Sequence, residues 1–311
     1  MADPNERPVL SVIVCTYNRA QYIIRNLESL EAQTGISADQ YEVILVNNNS
    51  PDKTEELCLN YKKEHPLFPL HYFLEMNQGH TYARNRGIAE ASGSLLAFID
   101  DDAFVRPDYC QQIISFFEKH PEADMIGGRI YPIYEDGEEP KWMTSYLLPL
   151  VVALDKGDDV QEYARDKFPT GANMAFRKTV FDKSGWFNTD LGRRGKGLEG
   201  GDEKEMALRA KKSGFRAFYA PFVIVDHIIP ANRVSMDYIK GLAVGVGRHE
   251  RTRLALEGSS ALIRKWIQEF VKIGGTLFLF LLYVLKGQWS KGWILVKFRY
   301  WVFTGLSGWA P

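Results

Sequence analysis

Apolar residues along the first 120 positions fall into two alternating rhythms. Short, nearly unbroken apolar runs occupy residues 9–15, 41–46, 71–74 and 95–99, and between them apolar residues recur every three or four positions. Unbroken runs are what strands covered on both faces require. Their alternation with helical spacing predicts βαβ units and a mostly parallel sheet. Residues 22–30 place Ile23, Leu27 and Leu30 on one helical face. Ser50-Pro51-Asp52 reads as a helix start before residues 54–63, and a third helix is expected over 81–91. From about residue 121 the pattern is less regular, with Gly-, Pro- and Trp-bearing loops, a strand expected at 222–225, and one clear helix over 202–212 that Gly214 would terminate. The end of the chain changes character again: residues 273–285 are thirteen positions without a charge, bracketed by Lys272 and Lys286. The expected organisation is an α/β body over 1–230, divided near residue 120, followed by a helical segment over 231–311.

In an open α/β sheet, ligands bind outside the carboxyl ends of the strands. Here those ends read Thr16-Tyr17-Asn18-Arg19, Asn47-Asn48-Asn49-Ser50 and Asp100-Asp101-Asp102, so three polar clusters are expected to converge on one crevice. Three adjacent aspartates repel one another unless a cation sits among them. Oxygen ligands suit Mg²⁺ or Mn²⁺, which bridge protein carboxylates to phosphate oxygens and stabilise the charge on a departing diphosphate. A solvated acidic turn leading into Arg106-Pro107-Asp108 would have the same triplet, and the triplet alone leaves both readings open. The acids at Asp202-Glu203-Lys204-Glu205 are similarly two-sided. They complement a helix N-terminus by roughly 0.3–1 kcal/mol without any chemistry, or they supply a general base.

Composition narrows the classes. With 311 residues, 45% hydrophobic and 25% charged, the chain can bury a sizeable core. A net charge of −1 gives no global positive field, so nucleic acid is not an expected partner. The balance is uneven: residues 248–311 carry ten Lys or Arg against three Asp or Glu, which leaves the rest of the chain acidic. Cys15, Cys58 and Cys110 are scattered without metal-type spacing, which suits a reducing cytosol. Residues 1–8 contain Asp3, Glu6 and Arg7 and no apolar run, so no secretory leader is expected. Neither GxxxxGK[ST] nor a GxGxxG after a strand occurs, which removes the minimum features of an ATPase or a nicotinamide enzyme.

Two blocks carry a resemblance. Residues 77–102, from Asn77-Gln78-Gly79-His80 through Ala83-Arg84-Asn85-Arg86-Gly87 to Asp100-Asp101-Asp102, and residues 11–19, Ser-Val-Ile-Val-Cys-Thr-Tyr-Asn-Arg, occur in the right order about seventy residues apart. Together they resemble the inverting family 2 glycosyltransferases of GT-A fold, and the likeness extends through about residue 230. The resemblance implies a nucleotide-sugar transferase that uses Mg²⁺ or Mn²⁺. Thr16, Tyr17, Asn18 and Arg19 match the nucleoside-binding turn, with Tyr17 available to stack on the base. Asn48 falls where many members have a base-contacting aspartate, so base identity stays open. Arg84 matches a position near the donor. Asp100 and Asp102 match the Asp-x-Asp motif, with Asp102 the direct metal ligand, Asp101 behind it, and His227 a further ligand to metal or diphosphate.

The block from Gly200 to Arg209 resembles the acidic element that carries the catalytic base. By register Glu203 takes that place, but the usual Glu-Asp order is inverted and Asp202 remains a competitor. Thr170-Gly171-Ala172-Asn173 resembles the lining of the sugar and acceptor pocket, with Gly171 admitting backbone close to the sugar and Asn173 bridging hydroxyls.

Thirteen helical residues reach about 20 Å, short of a bilayer's roughly 30 Å hydrocarbon core. With Trp289, Trp293, Trp301 and several basic residues nearby, the segment reads as an interfacial anchor at the cytoplasmic face of the cell membrane. A re-entrant hairpin and a helical hairpin packed on protein are the alternatives. The expected activity is transfer of a sugar to a glycan or lipid-linked hydroxyl in surface or secreted polysaccharide synthesis. The competing classes are a sugar nucleotidyltransferase, which would need a basic Gly-rich loop where residues 11–19 offer only Arg19, and a non-catalytic glycan- or nucleotide-binding module.

Overall fold

The computed structural model describes residues 8–193, 201–257 and 259–308, with 249 and 252–266 described as helix backbone alone. The chain divides into two units, Met1–Tyr131 with Leu154–His227, and Pro132–Ala153 with Ile228–Pro311. The division near residue 230 therefore falls after His227. Residues 132–153, expected in the acceptor half, join the second unit because their apolar side chains Met143, Leu147 and Val151 pack with Ile229, Ile294 and Leu295.

The first unit opens with β1 (Leu10–Thr16), α1 (Ala20–Glu31), β2 (Tyr41–Asn47), α2 (Thr54–Glu64), β3 (Leu70–Leu74), α3 (His80–Glu90) and β4 (Leu95–Asp100). Each lies within a residue or two of the apolar run or helical stretch that predicts it. A short β5 (Ala103–Val105), α4 (Tyr109–Lys119), β6 (Met125–Tyr134), β7 (Gln161–Glu162), β8 (Asn173–Arg177), α5 (Lys178–Ser184), α6 (Asp202–Lys212) and β9 (Ala217–Ile229) follow. The sheet order is β3-β2-β1-β4-β8-β6-β9-β5, with β7 on β9. The parallel half is β3, β2, β1 and β4, and β8 runs antiparallel beside β4. β9 is longer than the strand expected at 222–225. His227 consequently lies within it, paired with Ala103 of β5, and not beyond its end.

Burial explains the ordering. Val12, Ile13, Val14, Val43, Leu45 and Leu96 are wholly inaccessible, as strands covered on both faces must be. Phe98 on β4 meets Phe176, Phe181 and Phe187 edge-on at 5.8, 5.9 and 5.5 Å. Each such buried aromatic contributes on the order of 1.5–3 kcal/mol. This cluster fixes the start of β8, and with it the loop 170–172, beside the end of β4.

The second unit contains α7 (Met236–Glu257), α8 (Ser259–Leu285) and α9 (Trp289–Ser307). α7 and α9 cross closely through glycine: a Cβ on Gly247 would lie 2.2 Å from the Val302 carbonyl oxygen, and one on Gly305 would lie 2.2 Å from that of Val244. α8 keeps one stripe toward α9, where Leu279 and Tyr283 meet the core around Ile294 and Leu295. Ile267–Leu285 is long and apolar enough to cross a membrane, and only 6% of that stretch is buried. The helical run begins before Lys272. At 1.5 Å per residue its nineteen positions reach about 28 Å, not the 20 Å expected from residues 273–285.

Candidate active site

Parallel pairing sets Thr16 opposite Asn47 and Cys15 opposite Asp100, so the three polar strand ends lie abreast. Asp100 ends β4, and Asp101 and Asp102 form the buried turn into β5. Asn26 clamps that turn. It is buried in the apolar stripe of α1, and its side-chain amide donates to the carbonyl oxygens of Ala103 at 2.6 Å and Asp100 at 3.3 Å. The β5–β9 pairing then delivers His227 to the same place, its Nε2 lying 3.1 Å from Asp102 Oδ1.

Asp100, Asp102 and His227 each offer one ligand atom, and these atoms all lie within 4.8 Å of one another. His227 is 1% exposed and its Nδ1 has no hydrogen-bond partner in the protein. Arg19 offsets part of the acidic charge, with Nη2 3.4 Å from Asp102 Oδ2 and Nε 3.7 Å from Asp101 Oδ1. Even so, burial, with Asp102 alongside, pushes the Asp101 carboxyl up to about 7 against the pull of Arg19. A carboxylate cluster in this state gains from an added cation.

A second cluster joins α3, the loop before β8 and the head of α6. Arg84 is buried, with Nη1 2.5 Å from Asp202 Oδ2, Nη2 donating to the Gly171 carbonyl at 3.4 Å, and the guanidinium 5.2 Å over the Phe187 ring. Glu203 follows Asp202 at the start of the helix. A Cβ on Gly171 would meet Arg84 Nη2 at 2.7 Å, close enough to displace the guanidinium, and would touch the Glu203 carboxyl carbon at 3.7 Å. Burial, and the negative Asp202 next to it, push Glu203 up to about 7 despite Arg84. Burial acts to raise Asp202 as well, but the Arg84 ion pair and a hydrogen bond with Glu203 prevail and hold it down at about 2. Neighbouring carboxyls driven apart in this way can take different roles, one a permanent anion and the other a base that titrates near neutrality. Burial and the Arg84 charge keep His80 neutral, down at about 4. Cys15 lies beside the same arginine, yet burial pushes its thiol up to about 12, so it is no nucleophile.

The structure redistributes several expected roles. Thr16 is buried at the strand end, Tyr17 is 37% exposed and free to present its ring, and Asn18 adopts a left-handed backbone (φ 56°) with its N–H donating to Ser50 Oγ. Arg19 faces the aspartates. Asn48 is committed to protein. Its side-chain N–H groups donate to the carbonyls of Glu75 and Asn77 and its Oδ1 accepts from the Gly79 N–H, so it latches the loop before α3 and has no N–H left for a base.

Arg84, expected near the donor, pairs with Asp202 and donates to the Gly171 carbonyl. Asn173, expected to bridge sugar hydroxyls, is 1% exposed. Its amide donates to the carbonyls of Arg129 and Val223, and its Oδ1 accepts from the Tyr109 hydroxyl. Asn26 escaped the sequence reading, although a polar residue inside the stripe Ile23, Leu27, Leu30 was its signal. His80 left no comparable mark.

The model of the family described as Glycosyl transferase family 2 matches residues 11–185. The glycosyltransferase AglE of Haloferax volcanii is 32% identical over 243 residues, covering 78% of this chain and 73% of that protein. The glucosyl-dolichyl phosphate glucuronosyltransferase of the same organism is 26% identical over 234 residues, 74% of this chain and 72% of that one. Among solved structures, the mannosyltransferase PcManGT of Pyrobaculum calidifontis, in complex with GDP-Man and Mn²⁺, superposes with a TM-score of 0.65 at 18% identity, over 98% of this chain and 88% of that chain. That likeness shows the fold, the GT-A arrangement of a mostly parallel sheet flanked by helices.

Proposed function

The chain belongs to glycosyl transferase family 2 and is a glycosyltransferase, and on that premise we propose that it moves a sugar from a nucleotide-diphosphate donor to an acceptor hydroxyl with inversion, using a divalent cation. The observation that carries the proposal is the convergence of Asp100, Asp102 and His227 at the strand ends. Two carboxylates and an imidazole whose Nε2 faces Asp102 fit a small divalent ion of the Mg²⁺ or Mn²⁺ type. When bound, such an ion would neutralise the diphosphate that leaves.

The remaining work falls to side chains. Tyr17, exposed beside the crevice, stacks on the nucleoside base. Asn26 holds the aspartate turn in shape, and Arg19 balances the carboxylates until donor and cation arrive. Inversion requires the acceptor oxygen to attack the anomeric carbon opposite the diphosphate while a base takes its proton. Glu203 is that base: its carboxyl, raised toward neutrality, is deprotonated in part of the population at working pH and strong enough to accept a proton. Asp202, locked to Arg84, is too weak a base for the same step. Arg19 is the only Lys or Arg between Ser11 and Arg19, and its engagement with Asp101 and Asp102 supports sugar transfer over nucleotidyl transfer.

The second unit supports a lipid-surface location, and we propose the cytoplasmic face as its side. α8 exposes Ile267, Phe270, Val271, Leu277, Phe278 and Leu281, and α9 begins with exposed Trp289 and Trp293. Lys272 and Lys286 flank the uncharged stretch, as at a membrane interface. The relative named for glucosyl-dolichyl phosphate supports a lipid-linked acceptor. The direct test is a thermal-shift panel of UDP-, GDP- and dTDP-sugars with Mn²⁺ on the full-length protein in detergent. One donor class should stabilise the wild type in a metal-dependent way and fail to stabilise Asp102→Ala. A chain stabilised by none of them, with or without Mn²⁺, is not a nucleotide-sugar transferase of this kind.

A further inference from the structure

The two carboxyls at the head of α6 are chemically alike and adjacent in sequence, and their surroundings treat them differently. Asp202 is 2% exposed and shares a 2.5 Å ion pair with Arg84, itself 3% exposed. The guanidinium is fixed on three sides, by Asp202, by the Gly171 carbonyl and by the Phe187 ring. Phe187 is in turn tied to α3, because Asn85 exchanges two hydrogen bonds with its backbone, Oδ1 accepting from its N–H and Nδ2 donating to its carbonyl. Among the described residues Glu203 makes no such ion pair. The groups facing it, among the described residues, are Asp202 on its own helix, Arg84 from α3 and the Gly171 backbone from the loop before β8; around Arg84 stand His80 with Arg193, and Asp100 at the end of β4.

We infer that Arg84 is the positioning residue of the transfer reaction: it captures Asp202 as a permanent buried ion pair and thereby leaves Glu203 the one carboxyl of the two that can take the acceptor's proton. This deepens the proposed function and rests on its assignment of Glu203 as base. It gives Arg84 a task that involves no contact with the donor. It also accounts for the inverted acid order, since the residue that α3 can reach is the first of the pair and the base is the second. An opposite charge in contact with a carboxyl lowers its pKa by about 1–3 units, and a like charge raises it. Removing Arg84 should therefore raise the pH at which Glu203 becomes active, and neutralising Asp202 should lower it.

The test is the pH profile of donor hydrolysis, with water as acceptor, measured for full-length protein in detergent with Mn²⁺ on GDP-mannose, UDP-N-acetylglucosamine and dTDP-glucose. Wild type should show a rising limb centred near neutrality. In Arg84→Met the limb should move up by about one pH unit or more, with donor KM changed less than threefold. Arg84→Lys, which keeps the charge, should restore most of the shift, and Asp202→Asn should move the limb down with turnover still measurable. Arg84→Met leaves a buried charge unpaired and risks misfolding; should it misfold, the test is the downward shift of Asp202→Asn and its reversal in the Arg84→Met/Asp202→Asn double variant, which removes both charges. Its limb should return to within about half a unit of wild type, because the lost attraction and the lost repulsion oppose each other. Limbs that stay put in all variants, or a tenfold rise in donor KM without a limb shift, overturn the positioning role and return Arg84 to the donor. Loss of turnover in Asp202→Asn alone overturns it too. Failure of the underlying reading looks different: Glu203→Gln would then hydrolyse donor at the wild-type rate.

Discussion

Replacing Asn173 with alanine separates a structural role from a sugar-binding one. The wild-type side chain makes three hydrogen bonds inside the first unit, to the Arg129 carbonyl at 3.0 Å, to the Val223 carbonyl at 2.9 Å and from the Tyr109 hydroxyl at 3.1 Å, and it is 1% exposed. Alanine leaves two carbonyls and a hydroxyl short of a partner where little water can reach. Each buried polar group left unsatisfied costs about 1–3 kcal/mol. The carbonyls keep a second lone pair for other partners, so the expected total is about 2–4 kcal/mol rather than the full sum. For a unit of this size, that corresponds to a fall of roughly 5–15 °C in melting temperature. The assay is thermal and urea unfolding beside donor binding at a temperature where the variant is still folded. Destabilisation with donor affinity within about threefold of wild type is the expected result. Unchanged stability with lost binding would refute the structural role and return Asn173 to the sugar pocket.

Other perturbations probe the remaining parts. His227→Ala should weaken Mn²⁺ binding by at least tenfold in calorimetry while the fold melts within a few degrees of wild type; equal Mn²⁺ affinity would remove His227 from the ligand set. Gly171→Ala forces a methyl to 2.7 Å from Arg84 and should cut turnover by about ten- to a hundredfold through misplacement of Glu203, with nucleotide affinity retained; full activity would show that the loop yields freely. Leu277→Glu with Leu281→Glu places two charges on the exposed face of α8 and should move the protein from the vesicle layer to the bottom fraction in a flotation assay with anionic liposomes. Flotation equal to wild type would argue against α8 as the contact.

Much of this layout was readable before any coordinates. Nearly unbroken apolar runs identified β1, β2 and β4, whose two buried polar interruptions, Ser11 and Glu42, satisfy each other at 2.6 Å, and strand order then placed Thr16, Asn47 and Asp100 abreast. The antiparallel half was less legible. β5 is three residues long and β8 five, and β6 and β9 pass between buried and half-buried positions with no single period. Roles at the site were less legible than the strands. Asn48, Arg84 and Asn173 each carry polar groups suited to a ligand, yet each spends them on backbone or on a buried partner. Local sequence shows what a side chain can bond to; only the fold shows what reaches it first. The apolar reach of α8 was underestimated for a related reason: a count of uncharged residues stops at Lys272, whereas the helix carries its exposed apolar face back to Ile267.

The central claim is inverting transfer with Glu203 as the base. It is tested most directly by ¹H NMR of the sugar released when the wild-type protein, with Mn²⁺, hydrolyses an α-linked nucleotide sugar. With inversion the β-anomer appears first, before mutarotation. Glu203→Gln should bind the donor normally and release sugar about 10²- to 10⁴-fold more slowly. Initial appearance of the α-anomer, or undiminished release by Glu203→Gln, would contradict that claim.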